Sequence, residues 1–140
     1  MTATFCGHKD ITGEQKIAIL LEENLQALIS EGVISFLLGG YGSFDLLAAR
    51  VLKNLKTEHP NIQRILVIPY MDREYNHELY DRSVYPPIEG VPKRFAILRR
   101  NEWMIEQSDV VITYVTHDWG GASTTLEYAK KKGKKIISVA

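Results

Sequence analysis

The sequence contains almost no cysteine, since Cys6 is the only one among 140 residues. A single thiol excludes an internal disulfide framework, and the first ten residues lack the basic-then-apolar layout of a secretion signal. We therefore expect a cytoplasmic location. No apolar run reaches the roughly 18 residues that a membrane span requires, so we expect no association with a membrane.

The chain also lacks an excess of charge of either sign, because 17 Lys and Arg residues balance 17 Asp and Glu residues. A global positive potential that attracts a nucleic-acid backbone is absent, which disfavours nucleic acid as a partner. The four histidines do not have metal-binding spacing, and Cys6 has no evident catalytic partner. We therefore predict no metal site, no thiol chemistry and no cofactor.

What the sequence does contain is a regular alternation of apolar runs and amphipathic stretches. Apolar residues recur at three- and four-residue steps after Glu14, as in a helix, and residues 33–38 form a nearly continuous apolar run, as in a buried parallel strand. Strands are predicted at 2–6, 33–38, 64–69, 109–114 and 135–140, and helices begin near residues 14, 43, 92 and 123. This order predicts a single α/β domain with a Rossmann-like three-layer fold, a five-stranded, mainly parallel sheet and helices on both faces.

Two features lie outside this alternation. The 22 residues from 70 to 91 show no helical or strand period, and they include several tyrosines and a pair of prolines. Irregular loops of this length are usually functional or mobile, and we expect a flap over a site. At the other end, the last predicted strand has no helix after it, which leaves surface for a second subunit, so we expect a homo-oligomer.

Three loops that follow predicted strands carry residues suited to an anionic ligand. The carboxyl ends of parallel strands share one edge of the sheet, so these loops converge there. Glycines bring a ligand close to the backbone, and the helix starts offer free N–H groups to a phosphate. The candidate ligand-binding residues of these loops are Gly7, His8, Gly39, Gly40, Gly42, Ser43, Gly120, Gly121, Ser123 and Thr124.

Alternative explanations exist for several of these residues. A tight turn that requires positive φ explains a glycine cluster without any ligand. Asp45 is a candidate acceptor for ribose hydroxyls, or it orders the glycine loop. His8 either contacts the ligand or has a structural role, and the aromatic residues Tyr41 and Trp119 either stack on a base or anchor their loops.

Residues 120–127, with the sequence GGASTTLE, resemble the GGxGTxxE motif of the LOG proteins, which are nucleoside-monophosphate phosphoribohydrolases; Ser123 replaces the third glycine. The preceding RNEWM at 100–104 is similar to the stretch before that motif. The resemblance implies that Arg100, with Asn101 beside it, binds phosphate or ribose. It also implies that Glu127 stabilises positive charge at the sugar while the N-glycosidic bond breaks. A surface position for Arg100 and a helix-dipole role for Glu127 are the alternatives.

A closer resemblance, over essentially the whole chain, is to the YpsA-like branch of the SLOG superfamily. It is carried by TFCGHK at residues 4–9, GSFD at 42–45 and RRN at 99–101. It implies a Rossmann-like fold that binds a nucleotide or a nucleotide-derived ligand. Two functions remain open: a sensor or sequestering protein for an ADP-ribose-like or cyclic-nucleotide-like molecule, and a hydrolase that releases the base from a nucleoside 5′-monophosphate. DNA binding, as in the DprA relatives, is disfavoured by the zero net charge.

Overall fold

The computed structural model describes residues 1–71 and 74–140. Within them, six strands and four α-helices follow one another along the chain, and a short 3-10 turn (Lys93–Phe95) leads into the third helix. The elements are β1 (Thr2–Gly7), α1 (Glu14–Ser30), β2 (Ser35–Leu38), α2 (Ser43–Glu58), β3 (Gln63–Val67), β4 (Arg82–Val84), α3 (Ala96–Gln107), β5 (Val110–Tyr114), α4 (Gly121–Lys131) and β6 (Lys135–Ser138). None of these helices is long and apolar enough to cross a bilayer.

The strands form one parallel sheet in the order β4-β3-β2-β1-β5-β6. The order reverses at β1, which has β2 on one side and β5 on the other. Cys6 lies opposite Thr113 and Gly7 opposite Tyr114, so β1 and β5 end at the same level. In open α/β sheets, ligands bind outside the carboxyl ends of the strands at such a switch point.

The helices cover both faces of the sheet, which confirms the predicted three-layer α/β fold. Successive strand residues alternate between two cores because side chains along a strand point to opposite faces. Phe5 and Phe36 pack on the side of α1 and α2, whereas their neighbours Cys6 and Leu37 pack on the side of α3 and α4. The apolar runs of the sequence therefore correspond to strands that are buried on both faces.

The sheet has six strands rather than the predicted five, and the sixth lies in the segment from 70 to 91. Arg82–Val84 forms β4 at the edge of the sheet beside β3, and Tyr80 and Ile88 are buried. The described residues of this segment do not line the cavity at the switch point, so the flap prediction is wrong for them. Asp72 and Arg73 lie outside the described residues.

An ion pair attaches this segment to the sheet. The guanidinium of Arg64, on β3, donates to both carboxylate oxygens of Asp81 at 3.2 and 2.9 Å. Arg64 also donates to the carbonyl oxygen of Glu78 at 2.8 Å and is only 6% exposed. These contacts hold the chain beside β3 just before β4 begins.

Candidate functional site

A cavity of about 420 Å³ opens at the carboxyl ends of β1 and β5. Its volume lies in the usual range for small-molecule sites. The loops after β1, β2 and β5 form its walls together with one face of α3, as expected at a switch point. Eight of the residues predicted from the sequence line it: Gly7, His8, Gly39, Asp45, Arg100, Asn101, Gly120 and Gly121.

The other predicted residues lie outside this lining, and they are Gly40, Gly42, Ser43, Ser123, Thr124 and Glu127. Glu127 and Thr124 line a separate groove of about 190 Å³ between α3 and α4. The side chain of Glu127 is 70% exposed and pairs with Lys130 at 3.5 Å. The structure therefore does not bring Glu127 into one cavity with Arg100, although the motif suggests a common site.

The loop after β2 is closed by contacts within the protein. The N–H of Gly40 donates to the Asp45 carboxylate at 2.5 Å, and the N–H of Ser43 donates to the carbonyl oxygen of Lys9 at 2.7 Å. Gly42 has a φ of 91°, and a Cβ on it would lie 2.9 Å from the Cα of Lys9. This geometry favours the turn explanation for Gly40 and Gly42, because the start of α2 is already occupied by the chain itself.

Asp45 combines this structural contact with an unusual environment. Burial raises the pKa of Asp45 to about 6, although hydrogen bonding to Gly40 and the charge of Arg100 act in the opposite direction. Between pH 4 and 6 the folded state therefore holds a proton that the unfolded chain has lost. Ionisation of Asp45 makes folding less favourable, and stability falls as the pH rises through this window.

Replacing Asp45 with Asn is expected to remove this pH dependence. The amide oxygen still accepts the N–H of Gly40 but does not titrate. We expect the stability advantage of Asp45→Asn over the wild type to be about 2 kcal/mol larger at pH 7.5 than at pH 4.5. Urea unfolding of the ligand-free protein at both pH values measures this. A stability difference that is the same at the two pH values would contradict the assignment.

Arg100 is a buried cation without an ion pair among the described residues. It is 3% exposed, and its Nη1 donates to the carbonyl oxygens of Gly39 and Val67, each at 2.9 Å. Its Nε donates to the side chain of Asn101 at 2.9 Å, whereas Nη2 has no acceptor in the described structure. Burial lowers the pKa of Arg100, and the charge of Asp45 only partly offsets this effect.

The start of α4 offers unpaired donors to the same cavity. Its first residue follows Gly120, which has a φ of 91°, and the first turn has neither a side-chain cap nor an acidic residue. The N–H of Thr124 donates to the carbonyl oxygen of Gly120 at 3.1 Å, which leaves the N–H groups of Gly121, Ala122 and Ser123 without an acceptor in the described part of the chain. Since Gly120, Gly121 and Ala122 line the cavity, the positive end of the helix dipole opens into it.

Cys6 lies in the cavity wall but is suited to a structural role. It is 5% exposed, and its thiol donates to the carbonyl oxygen of Ala122 at 3.1 Å, which joins β1 to the first turn of α4. Burial, together with the charge of Asp45, raises the pKa of the Cys6 thiol to about 12. Almost no thiolate is therefore present at neutral pH.

Cys6 is expected to resist alkylation in the folded protein. At pH 8, iodoacetamide should modify it at least about 100-fold more slowly than it modifies a free cysteine, because only the thiolate reacts. The same reaction in urea should go to completion and serves as the control. Mass spectrometry follows both time courses, and rapid modification of the folded protein would disprove the structural role.

Several lining residues were not singled out by the sequence. These residues are Lys9, Asp10, His117 and Thr125. Each of them lies within four positions of a loop glycine in the sequence, and that proximity was the available signal. Tyr41 and Trp119, which the sequence offered as candidates to stack on a base, also line the cavity and are 64% and 68% exposed. No group of three or more potential metal ligands occurs in residues 1–71 and 74–140.

Solved structures share this fold. The DNA processing protein A of Helicobacter pylori, described for its single-stranded DNA binding mode, has a TM-score of 0.66 and 22% identity, covering 99% of this chain and 64% of that one. The molybdenum cofactor carrier protein of Chlamydomonas reinhardtii has a TM-score of 0.65 and 16% identity, covering 98% and 75%. DNA processing protein A of Streptococcus pneumoniae has a TM-score of 0.68 and 19% identity, covering 98% and 49%. At these identities the likeness shows the fold alone.

Curated sequences give the family. A UPF0398 protein of Halalkalibacterium halodurans is 33% identical over 138 residues, which cover 89% of this chain and 71% of that protein. A UPF0398 protein of Bacillus thuringiensis is 26% identical over 140 residues, covering 89% and 75%. The family model YpsA, described as the YspA SLOG family, matches residues 7–137. The chain therefore belongs to the YpsA SLOG family.

Proposed function

We propose that this protein binds a phosphorylated, nucleotide-derived small molecule in the cavity between the ends of β1 and β5, and acts as a sensor or sequestering protein. Arg100 is the observation that carries the proposal. Arg100 is 3% exposed and forms no ion pair with a described residue, and the charge of Asp45 only partly compensates its burial, so a ligand anion that reaches the guanidinium stabilises the folded protein. Its Nη2 is the donor that remains available to a ligand in the cavity.

The start of α4 supplies the second attraction for an anion. Three adjacent N–H groups have no acceptor in the described part of the chain, and together with the positive end of the helix dipole they favour a phosphate group at Gly121 and Ala122. Asp45 and Asn101 line the same cavity and bring an acceptor and an amide to it. Groups of this kind recognise ribose hydroxyls in nucleotide sites.

The neighbours in fold support a ligand-binding role without identifying the ligand. One is named for binding single-stranded DNA and another for carrying the molybdenum cofactor. The hydrolase hypothesis needs Glu127 and Arg100 at one site, and the exposed position of Glu127 in the other groove does not support it. We therefore propose binding without cleavage of the glycosidic bond.

A ligand panel tests this function. The protein is incubated with AMP, ADP, ADP-ribose, cyclic AMP, adenosine or a single-stranded DNA 20-mer, and thermal unfolding and released base are measured in the same samples. We expect at least one phosphorylated compound to raise the Tm, adenosine to have little effect, and no free base to appear. A ligand present at 1,000 times its Kd stabilises the folded state by about 4 kcal/mol.

Three results would contradict the proposal: no stabilisation by any phosphorylated compound, release of adenine from AMP, or salt-sensitive binding of the DNA alone. Two neighbouring arginines give a matched control. Arg100→Lys should weaken the binding of the stabilising compound at least about tenfold, because the ammonium cannot reproduce the planar donor geometry. Arg99→Lys should leave the affinity unchanged, since Arg99 pairs with Glu106 at 3.0 Å and lies outside the cavity.

A further inference from the structure

The cavity wall contains an exposed tryptophan that is held in a fixed orientation. Trp119 is 68% exposed, yet its ring lies parallel to that of His117, with the centroids 3.7 Å apart and an interplanar angle of 15°. His117 in turn stacks on His8 at 3.8 Å and 14°. These three rings form a column, the His8–His117–Trp119 column, that begins where β1 ends and continues along the cavity wall.

The inner end of the column is anchored in the core. His8 is 9% exposed, and its ring lies nearly perpendicular to that of Tyr114, with the centroids 6.1 Å apart. Its Nε2 accepts the N–H of Thr116 at 2.8 Å. The Nδ1 of His117 lies 2.9 Å from the carbonyl oxygen of Trp119. These contacts restrict the rotation of the indole before any ligand arrives, so stacking on it costs little conformational entropy.

The outer end of the column has no ring partner among the described residues. Trp119 lines the cavity, and the next residue along the chain is Gly120, which opens the start of α4. An aromatic platform is therefore adjacent in the chain to the proposed phosphate site. Ligands that carry both a phosphate and a planar ring fit this arrangement better than simple sugar phosphates do.

We infer that the outer face of Trp119 is the binding platform for the planar heteroaromatic ring of the ligand, which adds a fourth ring to the column. This inference rests on the proposed function, because it uses the same cavity and the same phosphate site. It narrows the ligand class to phosphorylated compounds that contain a ring of purine size. Stacking of a base on an aromatic side chain contributes about 10- to 100-fold in affinity.

The test compares AMP with ribose 5-phosphate by calorimetric titration. Both compounds carry the phosphate and the sugar, but only AMP carries the ring. The wild type should bind AMP about 10- to 100-fold more tightly than ribose 5-phosphate. In Trp119→Leu the ratio of the AMP affinity to the ribose 5-phosphate affinity should fall to about 3 or less, while the affinity for ribose 5-phosphate stays the same. Trp119→Phe, which keeps an aromatic ring, should retain part of this affinity ratio.

The second tryptophan provides the control. Trp103 packs against the buried cluster of Leu37, Ile65, Val67 and Met104 and is not part of the cavity lining. Trp103→Phe should keep the wild-type ratio, and in this variant AMP should quench the fluorescence of Trp119, whereas ribose 5-phosphate should not. Trp119 is exposed, so its replacement should leave urea unfolding unchanged.

The outcomes separate the two claims. If Trp119→Leu keeps the wild-type ratio, or if the wild type binds both compounds equally, the stacking inference is overturned and the proposed phosphate site stands. If neither AMP nor ribose 5-phosphate binds although another phosphorylated compound of the panel does, the inference is overturned and the proposed function stands. If no phosphorylated compound of the panel binds the wild type, the proposed function and the inference fail together. The inference is supported if the affinity for AMP relative to ribose 5-phosphate decreases in the Trp119 variants and stays unchanged in Trp103→Phe.

Discussion

Gly121→Asp is expected to weaken AMP binding at least about 100-fold while the fold remains as stable as the wild type or becomes more stable. The introduced carboxylate places negative charge where the ligand phosphate is proposed to bind, and it accepts the free N–H groups of the first turn of α4. Two like charges about 4 Å apart near a protein surface repel each other by about 4 kcal/mol. An acid at a helix start also stabilises the helix by about 0.3–1 kcal/mol.

The position tolerates the side chain sterically. A Cβ on Gly121 would meet no heavy atom within 4 Å, and the residue is not among the glycines with positive φ. Gly121→Asn is the matched control, because it has nearly the same size and no charge, and we expect a loss of affinity below about fivefold. Calorimetric titration measures AMP binding and urea unfolding measures stability. If Gly121→Asp and Gly121→Asn lose AMP affinity equally, the size of the side chain, and not its charge, weakens binding.

Asp81→Ala is expected to destabilise the protein by about 3–5 kcal/mol, the largest loss of stability that we predict. The substitution leaves the guanidinium of Arg64, which is 6% exposed, without its counter-charge. Asp81 also accepts the backbone N–H of Arg64 at 2.8 Å and pairs with Lys56 at 3.4 Å. Loss of these contacts should release the chain that leads into β4.

The Arg64–Asp81 ion pair also predicts that the stability of the protein decreases at acidic pH. Burial by itself would raise the pKa of Asp81, but hydrogen bonds from Arg64 and the charges of Arg64 and Lys56 lower it to about 2. The contribution of Asp81 is therefore fully present above about pH 4 and is lost as the pH falls towards 2. Unfolding in urea at pH 7 and pH 3 should show a smaller difference between the wild type and Asp81→Ala at the lower pH.

An exposed ion pair serves as the control for Asp81. Glu78 pairs with Lys53 at 3.4 Å, and its side chain is 77% exposed. Glu78→Gln should cost less than about 1 kcal/mol because solvent screens such pairs. If Asp81→Ala costs no more than Glu78→Gln, the ion pair does not hold the edge of the sheet.

The sheet could be predicted from the sequence because its central strands are buried on both faces and read as continuous apolar runs. β4 could not be predicted in the same way. Arg82–Val84 has only three residues, too few for a period, and it is held in place by a contact between Arg64 and Asp81 that are 17 positions apart. Pairing at this distance along the chain depends on the folded sheet and leaves no local pattern.

The position of the cavity was predictable from the sequence, whereas the contacts inside it were not. Topology alone brings the loops after β1, β2 and β5 to one edge of the sheet. It does not tell which helix start stays open, because α2 is closed by Asp45 and Lys9 through contacts that only the folded chain makes. The sequence also does not distinguish the adjacent Arg99 and Arg100. Arg99 forms a partly exposed ion pair, whereas Arg100 is buried in the cavity wall.

An amide titration shows where the ligand phosphate binds, which we propose to be the start of α4. In ¹⁵N-labelled protein, AMP should shift the N–H resonances of Gly121, Ala122 and Ser123 most strongly, because these donors have no acceptor among residues 1–71 and 74–140. The resonances of Gly40 and Ser43 should move little, since their N–H groups already donate within the chain. If the largest shifts occur at Gly40 and Ser43, or if the resonances of α4 do not shift, the phosphate does not bind at the start of α4.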